Sequence, residues 1–377
     1  MTRRQFLMLL AALVVLGGAS LAVFWQDIAA YRATGAKIGA KLLPSLKVAD
    51  VVSIRLKDAK HQTTLVRKEK NWVVEERGGY PANFSEVSDL MIKLVELKVT
   101  QSEQVGESLW PRVELAEPGK GEGAGTLIEF KDGAGKVLAG LVLGKQVLKK
   151  DPLNPLPSAK DGVPAGRYVR VAGAGDTVVV VSDPLAKADA APGKWLNKDF
   201  FKADRIRTLA VGPAGAAPNW KIARDEEWGQ WKFAAGGGNL DPSAAVTVVN
   251  KLAGLAFDDV AVDGGAARKD KPLVAVAETF DNLVYAVKLT PREKGEDYLL
   301  TFTLTGEPPK TRAPEKGEKP EDKARRDKEF AETRKRLLER IAAERALAKW
   351  TYVISKREIE PFLQPRADMA ARSRGGR

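Results

Sequence analysis

The chain has 377 residues, 44% hydrophobic and 29% charged, a length and balance that suit two folded domains and exclude wholesale disorder. It has no cysteine and one histidine, which excludes disulfides, thiolate metal sites, cysteine nucleophiles and a lipid-carrying cysteine. Much of the +12 net charge falls in residues 310–377, with 20 Lys and Arg against 12 Asp and Glu, interspersed as on a solvated, ion-paired face rather than a nucleic-acid surface.

Residues 6–25 are an uncharged apolar run of roughly the 20 residues that a bilayer-spanning helix needs. Arg3 and Arg4 precede it, so the positive-inside rule keeps the short N-terminus in the cytoplasm. The expectation is a single-pass inner-membrane anchor touching lipid through residues 6–25. The bulk of the chain then lies outside, periplasmic in a Gram-negative cell. Gly17, Gly18 and Ala19 offer a signal-peptidase site instead, but the run continues to Trp25, beyond a signal core of about 7–15 residues. Both readings export the remainder of the chain. Residues 1–26 are thus tip and anchor, and 27–50 a juxtamembrane segment, open to helix formation up to Pro44.

The first module is expected over 51–183. Residues 51–56 alternate apolar and polar side chains as a half-buried strand does, and 63–68 with 71–75 follow as a hairpin. Gly78 and Gly79 break the pattern. Asn83, with Glu86 three residues on, marks a capping box for a helix whose Val87, Leu90, Leu94 and Leu97 share one face. Strands are expected at 126–130, 137–143 and 168–171 running into 177–181, with a proline-bearing loop over 145–165 and a linker over 184–204.

The order recurs over 205–364. A strand at 206–211 and a hairpin of 220–224 with 230–233 are followed by Gly236-Gly237-Gly238 and an Asp241-Pro242 helix start. Strands at 274–278, 283–290 and 298–304 complete the set, and 350–354 is matched to 168–171 as the closing strand. Residues 83–97 align without a gap on 241–255: Ser85 meets Ser243, Lys93 meets Lys251, Leu94 meets Leu252 and Leu97 meets Leu255. Residues 306–349 are an insertion, placed where the first module has its proline loop. Its second part is helix-forming, with Phe330, Leu337, Leu338 and Ile341 as a thin apolar stripe that packs at home or on a partner. Residues 365–377 are a basic tail. The expected fold is α+β: a transmembrane helix, then two repeated modules, each a mostly antiparallel sheet with one covering amphipathic helix.

Residues 54–97 bring together a strand, Thr64-Leu65-Val66-Arg67, Trp72-Val73-Val74, Tyr80-Pro81-Ala82-Asn83 and the helix of Val87, Leu90, Leu94 and Leu97. This succession resembles the DUF4340 family, bacterial membrane-anchored proteins whose biochemical role is unassigned. That pattern usually has Asp where this chain has Asn83, an exchange an N-cap accepts. The second module fits more loosely, since Asn239-Leu240 replaces Tyr80-Pro81. The resemblance implies an envelope setting beside ABC-type transport components, and it brings no catalytic residue.

No catalytic constellation stands out. His61 lies in a polar turn, without a second imidazole or a Gly-x-Ser-x-Gly elbow. Gly140–Lys145 is one residue short between its glycines for a phosphate loop, and reads as a strand with Gly144 starting a loop. The pairs Glu75-Glu76 and Asp258-Asp259 are adjacent, so on strands their carboxylates diverge. Trp72 and Trp231 read as core residues, Trp228 as exposed. No cofactor, metal or nucleic-acid partner is expected. The expected function is a non-enzymatic scaffold or accessory subunit of an envelope or ABC-transporter-type complex. Its candidate contacts are Phe330, Leu337, Leu338, Ile341 and Trp228. The alternative is an envelope hydrolase or glycan-binding protein whose carboxylates the sequence does not align.

Overall fold

The computed structural model describes residues 38–69, 71–119, 121–149, 162–173, 175, 177–314 and 318–371. The expected anchor at 6–25 and residues 372–377 lie outside these. Among the described residues no helix is long and apolar enough to cross a membrane. The chain divides into two compact α+β units, Met1–Asn197 and Lys198–Arg377, each built on one sheet.

Unit 1 runs β1 (Ser53–Lys57), β2 (Gln62–Lys68), β3 (Asn71–Val74), β4 (Tyr80–Pro81), α1 (Phe84–Glu96), β5 (Val99–Gln104), β6 (Thr126–Lys131), β7 (Val137–Lys149), β8 (Val163–Val171) and β9 (Thr177–Val181). Its sheet order is β4-β3-β2-β1-β6-β7-β8-β9-β5, antiparallel throughout. The helix therefore joins one edge of the sheet to the other. A flat nine-stranded sheet would separate β4 from β5 by about 38 Å at ~4.8 Å per strand. The 13 residues of α1 span only ~20 Å. The sheet must curl around the helix, which buries Val87, Leu90, Met91 and Leu94. Residues 105–119 cover part of the opposite face, where Trp110, Leu115, Val142 and Val178 form a second small core. Arg170, 4% exposed, stacks on Trp110 at 3.9 Å there.

Unit 2 runs β10 (Ile206–Pro213), β11 (Trp220–Ala223), β12 (Lys232–Phe233), α2 (Pro242–Ala253), β13 (Asp259–Ala261), β14 (Leu273–Thr279), β15 (Leu283–Pro291), β16 (Tyr298–Gly306), α3 (Pro320–Leu347), β17 (Thr351–Ile354) and α4 (Lys356–Leu363). Its sheet order, β12-β11-β10-β14-β15-β16-β17-β13, repeats that of unit 1 without β4. The register repeats as well. Ile54 lies between Leu65 and Phe130, and Leu209 between Ile222 and Ala277. At these rungs bulk changes sides: Phe130 faces Ala139 in unit 1, whereas Ala277 faces Tyr285 in unit 2. An aromatic cluster fills the second core, with Phe201 to Phe302 at 4.5 Å and Phe200 to Tyr352 at 4.6 Å between ring centres.

Each unit is closed by the segment after its last long-sheet strand, in matching fashion. Asn83 N donates to Trp195 O (2.7 Å) and Asn197 N to Pro81 O (2.9 Å). Asp241 N donates to Met369 O (2.9 Å) and Ala371 N to Asn239 O (2.9 Å). On the same rung of each sheet, Thr63 Oγ1 donates to Ala190 O (2.7 Å) and Trp220 Nε1 to Gln364 O (3.0 Å). The aligned lysines also match: Lys93 pairs with Asp183 at 3.9 Å and Lys251 with Glu358 at 3.0 Å. Residues 190–197 and 364–371 are therefore clasps, where the sequence suggested linker and tail.

Several further expectations are corrected. The capping box at Asn83 is half formed. Its side chain accepts from Ser85 N and Glu86 N, but the clasp carbonyl of Trp195 takes the Asn83 N–H, and Glu86 turns to Lys187 at 2.9 Å. The expected closing strand is β17, which sits where β9 sits, while β16 corresponds to β8. The insertion accordingly replaces the β8–β9 turn and not the proline loop. Both ends of the interval expected as that loop are strand instead: β7 runs on to Lys149 and β8 starts at Val163. Among its described residues unit 2 carries three α-helices: the covering α2, the inserted α3 that the sequence anticipated, and α4, which it did not. Residues 39–42 are not helical: Gly39 N donates to Val99 O and Leu42 N to Leu97 O, both at 2.8 Å, so the lead-in runs along the start of β5.

Candidate functional site

The β11–β12 connection of unit 2 departs from its counterpart. In unit 1, the last rung pairs Lys68 with Asn71, with only two residues between them in sequence. In unit 2, the last rung is Ala223 with Lys232, and residues 224–231 stand out as a loop. A turn closed by Gly229 N donating to Glu226 O at 3.0 Å carries Trp228 at its tip, 92% exposed.

Two arginines hold this loop. Arg205, at φ +52°, grips the Glu227 carboxylate with two parallel hydrogen bonds of 2.9 and 2.8 Å, and its third arm reaches Asp281. A fork-to-fork pair of this kind fixes orientation as well as distance. Arg224 donates to Ile206 O at 2.8 Å and to Glu227 O, while its guanidinium lies 4.8 Å from the Trp231 ring centre. Trp231 is thus half-buried under an arginine rather than in the core. The Arg205 hydrogen bond holds Glu227 below the usual carboxylate range, against a smaller opposing effect of burial. Glu227 stays an anion there and is unsuited to act as a general acid.

The facing wall is α2, which presents Val246, Val249, Asn250 and Ala253 at i, i+3, i+4 and i+7. With Asp204, Arg205, Arg224, Glu227, Trp228 and Trp231 they line an open cleft of about 400 Å³. Asp204 in turn pairs with Arg340 at 2.6 Å. The cleft therefore offers an indole, an apolar helix face and charged groups already committed to partners. Among the described residues, no group of three His, Asp or Glu side chains is placed to hold a metal ion.

Of the residues singled out in the sequence, only Trp228 and Trp231 belong to this cleft. Ile341, 2% exposed, is buried in its own unit and is not available as a free contact. Phe330, Leu337 and Leu338 are half-buried, and Phe330 lines a separate recess of about 430 Å³ with Lys310, Arg312, Lys323 and Asp327. The stripe thus turns toward its own unit at Ile341. His61 is half exposed, its backbone N–H donating to Asp58 at 2.6 Å. Arg205 and the α2 wall escaped the sequence reading, because their partners lie far away in the chain. One signal was present: Arg67 and Arg224 fall on the same rung, and each binds a carbonyl near the start of the first strand, Ala49 O or Ile206 O. In comparison with known proteins, no family model, no curated protein and no solved structure matches the chain.

Proposed function

We propose that the chain is a membrane-tethered, extracytoplasmic accessory protein that binds without turning over what it binds. The observation that carries this reading is the state of the cleft. Its carboxylates, Glu227 and Asp204, are engaged by Arg205 and Arg340, while Trp228, the most exposed large apolar side chain among the described residues, stands beside them. Catalysis needs groups free to gain or lose a proton near neutral pH, whereas a rigidly framed tryptophan next to apolar surface is what recognition uses. The apolar run at 6–25 supports a tether, and the resemblance to DUF4340 proteins supports service in an envelope or ABC-transporter-type complex.

The test is a photo-crosslinking residue placed at position 228 of the full chain in membranes. A defined set of envelope adducts, absent when the probe sits at exposed Val137 in unit 1, is expected. Hydrolytic activity in the purified chain that disappears with Glu227→Gln or Asp204→Asn would overturn the non-catalytic reading. Release of the chain from membranes by carbonate washing would remove the tether.

A further inference from the structure

We infer that the cleft beside Trp228 takes an uncharged saccharide, one ring lying on the indole and its hydroxyls meeting the planar polar groups around it. This rests on the reading of the cleft as a binding site without turnover, and it names the ligand class.

The first ground is surface chemistry. Trp228 does not stand alone: exposed Val246 and also Val249, Ala253 and Trp231 line the same concave site, so apolar groups share the cleft with the indole. An isolated exposed side chain on open surface needs no explanation, whereas an exposed indole among apolar groups in a cleft marks a contact. The volume of about 400 Å³ falls within the range of small-molecule sites, roughly 300–1,000 Å³.

Charge is the second ground. The lining holds two acids and two arginines, and each has a partner inside the unit. Glu227 has Arg205, Asp204 has Arg340, Arg205 also has Asp281, and Arg224 has the carbonyls of Ile206 and Glu227. A charged ligand would have to break one of these pairs or stay uncompensated. A neutral one need do neither.

The third ground is the shape of the polar groups. A carboxylate has about four lone-pair sites, and a guanidinium or carboxamide donates in a plane. Glu227 accepts one hydrogen bond from Arg205 on each oxygen, leaving each oxygen room to accept another. The exposed Asn250 carboxamide adds a donor and an acceptor together. Vicinal hydroxyls, which donate and accept side by side, satisfy this set while the C–H face of the ring covers the indole. A proline-rich peptide would also use the indole, but its backbone offers acceptors and few donors, leaving the carboxylate oxygens desolvated and unmet. Unit 1 has only two residues in place of the loop, so one site per chain is expected.

The experiment titrates the detergent-solubilised full chain with uncharged hexamers of glucose and of N-acetylglucosamine, a sulfated hexamer and a proline-rich decapeptide. Calorimetry and tryptophan fluorescence are the readouts. A neutral hexamer is expected to bind one to one, with affinity changing less than about twofold between roughly 50 and 300 mM salt, as suits a ligand without charge. Trp228→Ala should weaken it at least tenfold and Trp228→Phe less, with circular dichroism unchanged. Failure of both neutral hexamers to saturate at millimolar concentration, or equal binding by Trp228→Ala, overturns the proposal. Trp228-dependent binding of the decapeptide or the sulfated hexamer overturns it too, but leaves the non-catalytic reading standing. Glu227-dependent shortening of a hexamer would do the reverse, sinking the non-catalytic reading and keeping the saccharide.

Discussion

Tyr285 donates its hydroxyl to Glu344 at 2.8 Å, tying the inserted helix α3 to one core position of unit 2. Unit 1 places Phe130 opposite Ala139 on the corresponding rungs and needs no polar partner there. Unit 2 moves the large ring to the neighbouring strand as a tyrosine and so buries a hydroxyl. Glu344, 3% exposed, satisfies it and also accepts from Lys202 N at 3.2 Å. Removal of residues 306–349 would strip out Glu344 and Ile341, so this insertion is not a detachable addition.

Glu344→Leu leaves the Tyr285 hydroxyl only its longer bond to Lys202 O at 3.2 Å and takes the acceptor from Lys202 N, which is expected to destabilise unit 2 by about 1–3 kcal/mol. Adding Tyr285→Phe should recover part of that loss, because the poorly satisfied hydroxyl is gone. Urea unfolding of the two single variants and the double variant checks this. Strict additivity would mean that the two side chains act independently.

The same pair makes unit 2 sensitive to acid in an unusual direction. Burial raises the Glu344 carboxyl above its ordinary range, outweighing the hydrogen bonds from Tyr285 and Lys202 that pull it down. A raised folded-state value means that this group contributes most below its unfolded value and loses that contribution as pH climbs through the folded one. Relative to Glu344→Gln, the native chain should therefore gain stability as pH falls from neutral toward about 5. Burial and the nearby Glu344 push the Tyr285 hydroxyl up, so it remains a donor across that range. Thermal unfolding of both forms at several pH values is the measurement, and a native chain that loses stability relative to Glu344→Gln on acidification would refute the assignment.

The clasps predict paired, local effects. Thr63→Val keeps shape but leaves Ala190 O without its donor, at a cost of about 1–3 kcal/mol. Trp220→Phe does the same to Gln364 O and also removes buried volume. Hydrogen exchange should quicken over residues 190–197 in the first variant and 364–371 in the second. Faster exchange in the wrong segment would contradict the correspondence.

Gly144 is a packing requirement in the middle of β7. A β-carbon there would come 2.3 Å from Val113 O and 2.8 Å from Leu115 Cδ2, and Leu115 is fully buried. Gly144→Ala is expected to destabilise unit 1 by about 1–3 kcal/mol through overpacking. Gly135→Ala serves as the contrast: a β-carbon there meets nothing within 4 Å, although its positive φ adds modest strain. Similar midpoints for the two variants in chemical denaturation would argue against the crowding.

What could be read in the sequence was local. The 3-4-3 spacing from Val87 to Leu97 and the caps Asn83 and Asp241 announced both covering helices, and alternation announced the central strands. The edge strand β5 escaped notice because Thr100 to Gln104 are all exposed polar residues, leaving no period to detect. Gly144 was read as a strand end because glycine usually breaks strands. Here it sits at a bulge, where the register shifts between Leu143 and Gln146. The clasps rest on backbone hydrogen bonds and single side-chain donors, Thr63 and Trp220, reaching distant segments, which no periodic pattern encodes. The cleft was hidden for a related reason: Arg205 and Glu227 are ordinary surface charges until the fold brings them together.

The clasps also set a schedule for synthesis. Each unit joins its own beginning to its own end, Thr63 to Ala190 and Trp220 to Gln364, so neither unit is closed until its last segment has been made. Contacts of such long sequence separation form slowly, because loop closure comes before any gain from pairing. Unit 1 has all its parts once residue 197 is out, whereas unit 2 waits for residue 371. At about 5–20 residues per second that interval is roughly 10–35 s. During it unit 1 must hold its fold alone, and the half-made second sheet exposes strand edges open to mispairing with other chains.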